Sequence, residues 1–470
     1  MKENIADVLA ERYASRQMTN IWSPCGKVRL MRQLWVAALD AQRDAGLNIP
    51  RQAIEAYRAS IGNIDLASIA ARELTTKHDV KANIEEFNAL AGGVEYVHLG
   101  FTSRDITDNV EQLQILWALE LVRDRTVAVL RRLGVKAAEF AALNICGRSH
   151  NIPGQTTTLG KRFGNLAEEL LCAFSRLEEL IATYPLRGIK GPMGTQQDML
   201  ALLGSSEKVS FFEKRMREHL GIPHVLGCVG QVYPRSMDFD AVSVLVHLAS
   251  APVNFANMIR LMAGHELAYE GFAEGQSGSS AMPHKMNSRT CERISGLLAI
   301  LGGFLDMTRS LAGNQWFEGD VSCSVVRRVA LPGAFFAIDG IYESVMTVLD
   351  QMKVFPGAVR REMDCYLPFL STTRFLMGAV QMGMGREAAH AIIKKHALAA
   401  IRDMRDGLPN RFIILLGDDE DFPLGRPELE ALLFPDHGLA GDQVEEICGR
   451  ITEVVNRHPK AARYEPEPIL

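Results

Sequence analysis

The sequence predicts an all-α fold with a long central helical bundle, and three observations carry that prediction. Apolar residues recur at helical spacing over most of the chain, and alternating runs bounded by turn signals are scarce. Several periodic segments also exceed the usual helix length of ~10–14 residues. Helices this long and this broadly apolar must pack on several sides, which a large bundle shared between subunits would provide.

The first periodic segment covers 28–45 and the second 108–142. In the third, Phe163, Leu166, Ala167, Leu170, Leu171, Phe174, Leu177, Leu180 and Ile181 share one helical face, with Glu168, Glu169, Glu178 and Glu179 kept off it. Further helical patterns cover 207–219, 238–272, 290–312, 330–351, 386–405 and 441–456. The uncharged stretch Ala241 to Ile259 nearly reaches membrane-spanning length, but His247, Ser250, Pro252, Asn254 and Asn257 fit a helix buried among helices better than one in lipid. Gly92-Gly93 and Lys353-Val354-Phe355-Pro356-Gly357 are breaks. They divide the chain into an N-terminal helical domain (1–101), a central long-helix domain (102–354) and a C-terminal helical domain (355–470). The acidic run Asp418-Asp419-Glu420-Asp421, followed by Pro423 and Gly425, reads as a solvated loop.

Composition narrows the function classes. The 470 residues are long enough for about three structural units, and 47% hydrophobic with 23% charged residues is ordinary globular usage. A net charge of -5 argues against binding nucleic acid through a bulk positive field, so any anion must be held by local groups. The eight cysteines are far apart and form no C-x-x-C pair, which reads as reduced, mostly buried thiols in a reducing compartment. Acidic residues near Met1 leave no export signal, so a cytoplasmic location is expected, with no membrane partner. Neither a metal-ligand cluster nor a G-x-G-x-x-G in strand context occurs, and no metal or organic cofactor is expected.

The most unusual stretch is Gly271 to Asn287, G-F-A-E-G-Q-S-G-S-S-A-M-P-H-K-M-N, ahead of a helix carrying Glu292 and Arg293. By composition alone a Gly/Ser loop is a linker. A linker, however, has no use for Met, Pro, Lys and Asn at the fixed offsets of S-S-x-M-P-x-K-x-N.

With four other blocks this loop resembles the fumarase/aspartase superfamily and, within it, the adenylosuccinate lyase family, over essentially the whole chain. The blocks are Arg12-Tyr13, Lys77-His78-Asp79, Tyr96 to Asp105 (Y-V-H-L-G-F-T-S-R-D) and Gly147 to Thr157 (G-R-S-H-N-I-P-G-Q-T-T). The resemblance implies β-elimination of fumarate from adenylosuccinate, giving AMP, and from the succinylo-carboxamide imidazole ribotide SAICAR, giving AICAR. Such chemistry needs a base for a carbon-bound proton, donors for the resulting aci-carboxylate and an acid for the departing nitrogen.

By the resemblance, Ser279 is the base, with Ser280 the alternative that the residues leave open, and Lys285, Met286 and Asn287 belong to the substrate-holding loop. His150 is implied as the acid, with Glu292 its partner carboxylate, and His78 lies near the reacting centre. Arg12, Tyr13, Lys77, His78 and Asp79 are implied nucleotide contacts, and Thr102 and Ser103 fumarate and phosphate contacts. Gln231, Arg293, Ser324 and Arg328 match further substrate positions. A homotetramer with active sites shared between subunits is implied as well.

Rival readings are another lyase of the superfamily, acting on argininosuccinate, aspartate, malate or a muconate, and a non-catalytic scaffold of the same fold. Two departures stand out. Lys285-Met286-Asn287-Ser288 lacks the usual Asn-Pro, which implies a less rigid lead into the next helix. Gly319 stands where many members carry a substrate-contacting arginine, a role that could pass to Arg327, Arg328 or another subunit.

Overall fold

The computed structural model describes residues 7–222, 224–272, 275, 279 and 281–468. The N-terminal part contains α1 (Val8–Arg12), α2 (Arg16–Trp22), α3 (Pro24–Asp44), α4 (Arg51–Ala59), α5 (Leu66–Thr76) and α6 (Asp79–Leu90). The centre is built from α7 (Ser103–Glu139), the hairpin β1 (Asn144–Ser149) and β2 (Ile152–Thr158), and α8 (Leu159–Thr183). It continues with α9 (Gln197–Leu203), α10 (Ser206–Leu220), α11 (Ser236–Gly264), β3 (Ala268–Tyr269), α12 (Arg289–Leu311), α13 (Ser322–Gln351) and β4 (Lys353–Val354). The remainder contains α14 (Pro356–Leu370), α15 (Thr372–Gln381), α16 (Arg386–Arg405), α17 (Phe412–Gly417), α18 (Arg426–Ala431) and α19 (Ala440–Arg457). The fold is all-α, and among the described residues strands occur only as two antiparallel pairs, β1–β2 and β3–β4.

The long helices α7, α8, α11, α12 and α13 pack side by side around one core that includes Leu119, Phe163, Leu245, Phe255, Leu297 and Phe335. The amphipathic reading of α8 holds, since Phe163, Leu166, Ala167, Leu170, Leu171, Phe174 and Leu177 are all buried. Helix α19 crosses to this core through Ile447 and Ile451. A second core gathers α3, α4, α6, α9, α10 and the first turns of α7, and a third gathers α15 to α18.

Three boundaries differ from the expected ones, each for a physical reason. Helix α11 stops at Gly264 rather than running to 272, because Glu266 has φ 60° and the chain turns to pair β3 with β4. Leu267 and Ala268 are buried strand-side residues, so the apolar pattern runs on although the helix does not. Helix α13 begins at Ser322, ahead of 330, because its first turns invert the usual pattern: Val325 and Val329 face out while Arg327 is buried. Helix α7 begins at Ser103 rather than 108, since Asp105 accepts from the Thr102 amide at 2.8 Å and caps a polar first turn.

Two smaller expectations are corrected. Cys25, Cys172, Cys228 and Cys365 are exposed, so the thiols are not mostly buried, though all eight are free. Asp419 is not simply solvated: it meets Lys395 at 2.9 Å and His396 at 2.6 Å, which hold its carboxyl down at about 2. Among the described residues three helices, α11, α12 and α13, are long and apolar enough to cross a membrane by length and composition. The relevant windows of α11 and α13 are 61% and 89% buried in the protein, but that of α12 only 28%.

Candidate active site

The bundle carries its chemistry at two ends. At one, here the lower end, a cavity of about 440 Å3 opens between the starts of α6, α7 and α13. His78, Asp79, Ser103, Gln231, Ser324 and Arg328 all line it. His78 is the N-cap of α6: its Nδ1 accepts from the Lys81 amide at 3.3 Å, so in the neutral ring the proton sits on Nε2, 3.2 Å from Ser103 Oγ. Lys77 directly precedes it in a left-handed conformation, φ 53°, and is exposed. Asp79 accepts from the Val80 amide at 2.8 Å and faces Arg328 at 3.5 Å. The backbone at Gln231 is fixed by its N–H, which donates to the Glu318 carbonyl at 3.0 Å.

Under this cavity lies a buried ionic network. Arg327 meets Asp238 at 2.7 Å and Glu111 at 2.6 Å, and also bonds Tyr233. Burial alone would raise the Glu111 carboxyl, but Arg327 and Lys27 beside it bring it down to about 2. Arg327 is 1% exposed and saturated with partners, so it does not supply the contact left open at Gly319. His98 belongs to the packed turn: Trp35 Nε1 donates to its Nδ1 at 3.3 Å, and burial, helped by His78, lowers its pKa to about 4.

At the upper end, His150 and Asn151 form the two-residue turn of the β1–β2 hairpin, with φ 52° and 60°. Two consecutive left-handed residues make the type I′ turn that suits the twist of a hairpin, and they expose His150 at its tip. Asn151 Oδ1 lies 3.1 Å from Nε2 of His265, the C-cap of α11. The following loop leads to α12. Ser279 Oγ accepts from the Met282 amide at 3.1 Å and the Ala281 amide at 3.4 Å. Lys285 and Met286 are exposed and Asn287 is half-buried, while Ser280 lies outside the described residues.

Glu270, which the sequence reading passed over, caps α12. Its carboxylate accepts from the Thr290 amide at 3.1 Å and the Cys291 amide at 3.0 Å, so the lead into the helix is pinned without a proline. No local signal marks it, because it stands about 20 residues before the amides it caps. Glu292 is exposed in the first turn of α12 and makes no hydrogen bond to His150 within the chain. Arg293 lies over the Tyr13 ring at 5.7 Å, with burial lowering its pKa. Exposed Arg12 ends the short helix α1 beside it.

The two groups are far apart in one chain. Gln231 precedes the start of α11 and His265 follows its end, and a helix of 29 residues spans roughly 43 Å. Helix α13, with Ser324 at its start, spans about 45 Å by the same rise. A single chain thus joins His78 to Ser103, but not either of them to His150.

Residues 3–302 match the family model described as "Lyase", and residues 368–450 match "Adenylosuccinate lyase C-terminus". An adenylosuccinate lyase of Saccharomyces cerevisiae is 33% identical over 457 residues, covering 95% of this chain and 94% of that protein. One of Schistosoma mansoni is 30% identical over 450 residues, covering 94% of each. Among solved structures, the 3-carboxy-cis,cis-muconate lactonizing enzyme of Pseudomonas putida superposes with a TM-score of 0.81 at 21% identity, over 96% of this chain and all of that one. A fumarate lyase of Mesorhizobium sp. BNC1 gives 0.79 at 21% identity, over 93% and 99%. These two likenesses speak to the fold.

Proposed function

The chain belongs to the adenylosuccinate lyase family of the fumarase/aspartase superfamily, and from that premise we propose a mechanism in which it cleaves adenylosuccinate to AMP and fumarate. The observation that carries the reading is the lower cavity: six residues from four separated stretches, all named from the sequence, line one space of nucleotide-fragment size. SAICAR is the second substrate, cleaved to AICAR and fumarate by the same step.

Ser279 Oγ takes the proton from the succinyl carbon next to the carboxylate. The electron pair forms the C=C bond of fumarate as the C–N bond breaks, and His150 donates a proton to the departing nitrogen. Ser279 acts as the alkoxide and becomes the hydroxyl in this step; two backbone N–H groups already donate to its Oγ, an arrangement that stabilises the alkoxide the base needs. Lys285 and Asn287 hold the carboxylate that becomes dianionic, and Glu292 is the partner carboxylate of His150.

The acid and base lie at the upper end and the cavity at the lower, so a complete site takes the upper end of one copy and the lower end of another running antiparallel. The apolar helix α12, with a window only 28% buried within the chain, is the surface such copies would cover. The assembly is a homotetramer, and it works in the cytoplasm.

An absorbance assay with adenylosuccinate tests the reading, with Ser279→Ala and His150→Ala alongside. Turnover that falls at least 1000-fold (about three decades) in both folded variants supports the acid–base pair. Retained activity in Ser279→Ala moves the base to Ser280 or His78, and absence of turnover in the folded parent protein sinks the assignment.

A further inference from the structure

The lower cavity contains a cation that the motifs did not single out. We infer that Arg104 is a substrate-binding residue that holds a carboxylate of the succinyl group, an inference that rests on the lower cavity being the substrate site.

Arg104, the second residue of α7, lines the cavity next to Ser103 and is 12% exposed. Its guanidinium is held in place from two sides. Nη1 donates to Asp108 Oδ1 at 3.3 Å, and Nη2 donates to the Asp320 carbonyl at 3.2 Å and to Ser324 Oγ at 2.9 Å. These bonds use three of the five N–H donors, and the Nε–H has no acceptor among the described residues. Asp108 neutralises only part of the charge, since it also meets Arg235 at 3.0 Å and Arg327 at 4.0 Å. The Asp320 carboxylate is turned to Ser322, accepting from its amide and its hydroxyl.

The other cations at the cavity are committed differently. Lys27 is paired with Glu111 at 3.2 Å, and Arg328 faces Asp79 with a side chain 62% exposed. The loop opposite Arg104 sends no cation of its own. Gly319 has φ 135°, and a Cβ there would stand 2.8 Å from Val232 Cγ2, so this position has no room for a side chain. The loop instead turns the Asp320 carbonyl onto Arg104 and fixes it. A rigid, partly uncompensated guanidinium next to two hydroxyls, Ser103 and Ser324, is a preorganised carboxylate site.

Product inhibition of the full-length enzyme separates the possibilities, because fumarate has carboxylates and no phosphate while AMP has a phosphate and no carboxylate. Arg104→Gln should weaken inhibition by fumarate about tenfold or more and leave inhibition by AMP within about twofold. KM for adenylosuccinate should rise with it. Arg104→Lys, which keeps the charge without the fork, should shift the fumarate-to-AMP ratio by a smaller factor, and it serves as the readout if the Gln variant does not fold. An equal loss for both products would mean general loosening, a loss for AMP alone would mean a phosphate contact, and no change would mean no contact. Each of these overturns the inference while the parent enzyme still cleaves adenylosuccinate. A parent protein with no such activity would instead overturn the reading of the cavity, and this inference with it.

Discussion

At the scale of single residues, the lower end of the bundle shows how position rather than identity decides what an arginine does. Arg104, Arg327 and Arg328 are the same side chain, yet Arg327 is locked under the cavity by Asp238 and Glu111 while Arg328 stands in solvent. Arg327→Met would leave the buried Asp238 carboxylate without its cation and Glu111 with Lys27 alone, and it is expected to cost about 3–5 kcal/mol in urea denaturation. Gly319 makes the complementary point. Gly319→Arg is expected to destabilise by about 1–3 kcal/mol, because φ 135° and Val232 both oppose a side chain, and not to improve fumarate binding. His150, Ser279 and Lys285 were legible in the sequence because each lies in a contiguous, chemically odd segment. The fixing of Arg104 and the buried pairing of Arg327 were not, since an arginine on a helix is ordinarily a surface group and their partners lie up to 220 positions away.

At the scale of elements, the ends of helices do most of the positioning. His78 caps α6, Thr102 precedes α7, and Glu270 caps α12 from a distance. Removing the last of these with Glu270→Ala leaves two amides at a helix start without an acceptor. A loss of about 1–2 kcal/mol is expected in denaturant melts, together with a lower kcat, since the Ser279 loop runs straight into that helix end. The hairpin that presents His150 was missed as an element, although its residues were singled out. Its turn residues are His and Asn rather than glycine, and only the positive φ of both reveals the tight turn.

At the scale of the whole molecule, both ends of the chain are clasped to the bundle by buried carboxylates. Glu343 on α13 accepts from Tyr464 Oη at 2.9 Å and the Glu467 amide at 2.7 Å, and Asp339 accepts from the Ser15 amide at 2.6 Å. Burial, reinforced by Asp339 and opposed by Arg125, raises Glu343 to about 7. The folded state therefore keeps a proton that the unfolded chain gives up near the ordinary carboxylate value. The stability this group contributes is full below that value and is lost as pH rises toward about 7. Thermal melts across pH 5 to 8 should show that slope flattened in Glu343→Gln. The proposed sharing of the site between copies gives a second prediction at this scale. Ser279→Ala and His78→Ala proteins, each expected to be inactive, should regain roughly a quarter of parental activity when denatured and refolded together, because random mixing can bring an intact upper end of one copy to an intact lower end of another. No recovery in mixed, correctly sized oligomers would show that one chain supplies both groups.

The sequence by itself determined the helical class, the long central segments and the blocks that carry chemistry, because periodicity and motif are properties of neighbouring residues. Only the tertiary structure decided which of those blocks meet. The long helices α7, α11 and α13 are rigid rods of 29 to 37 residues, so they bring His78, Ser103, Gln231 and Ser324 together at one end and hold His150 and Ser279 at the other. That separation, like the bond from Arg104 to Ser324, depends on how distant segments pack, and no local pattern in the chain encodes it.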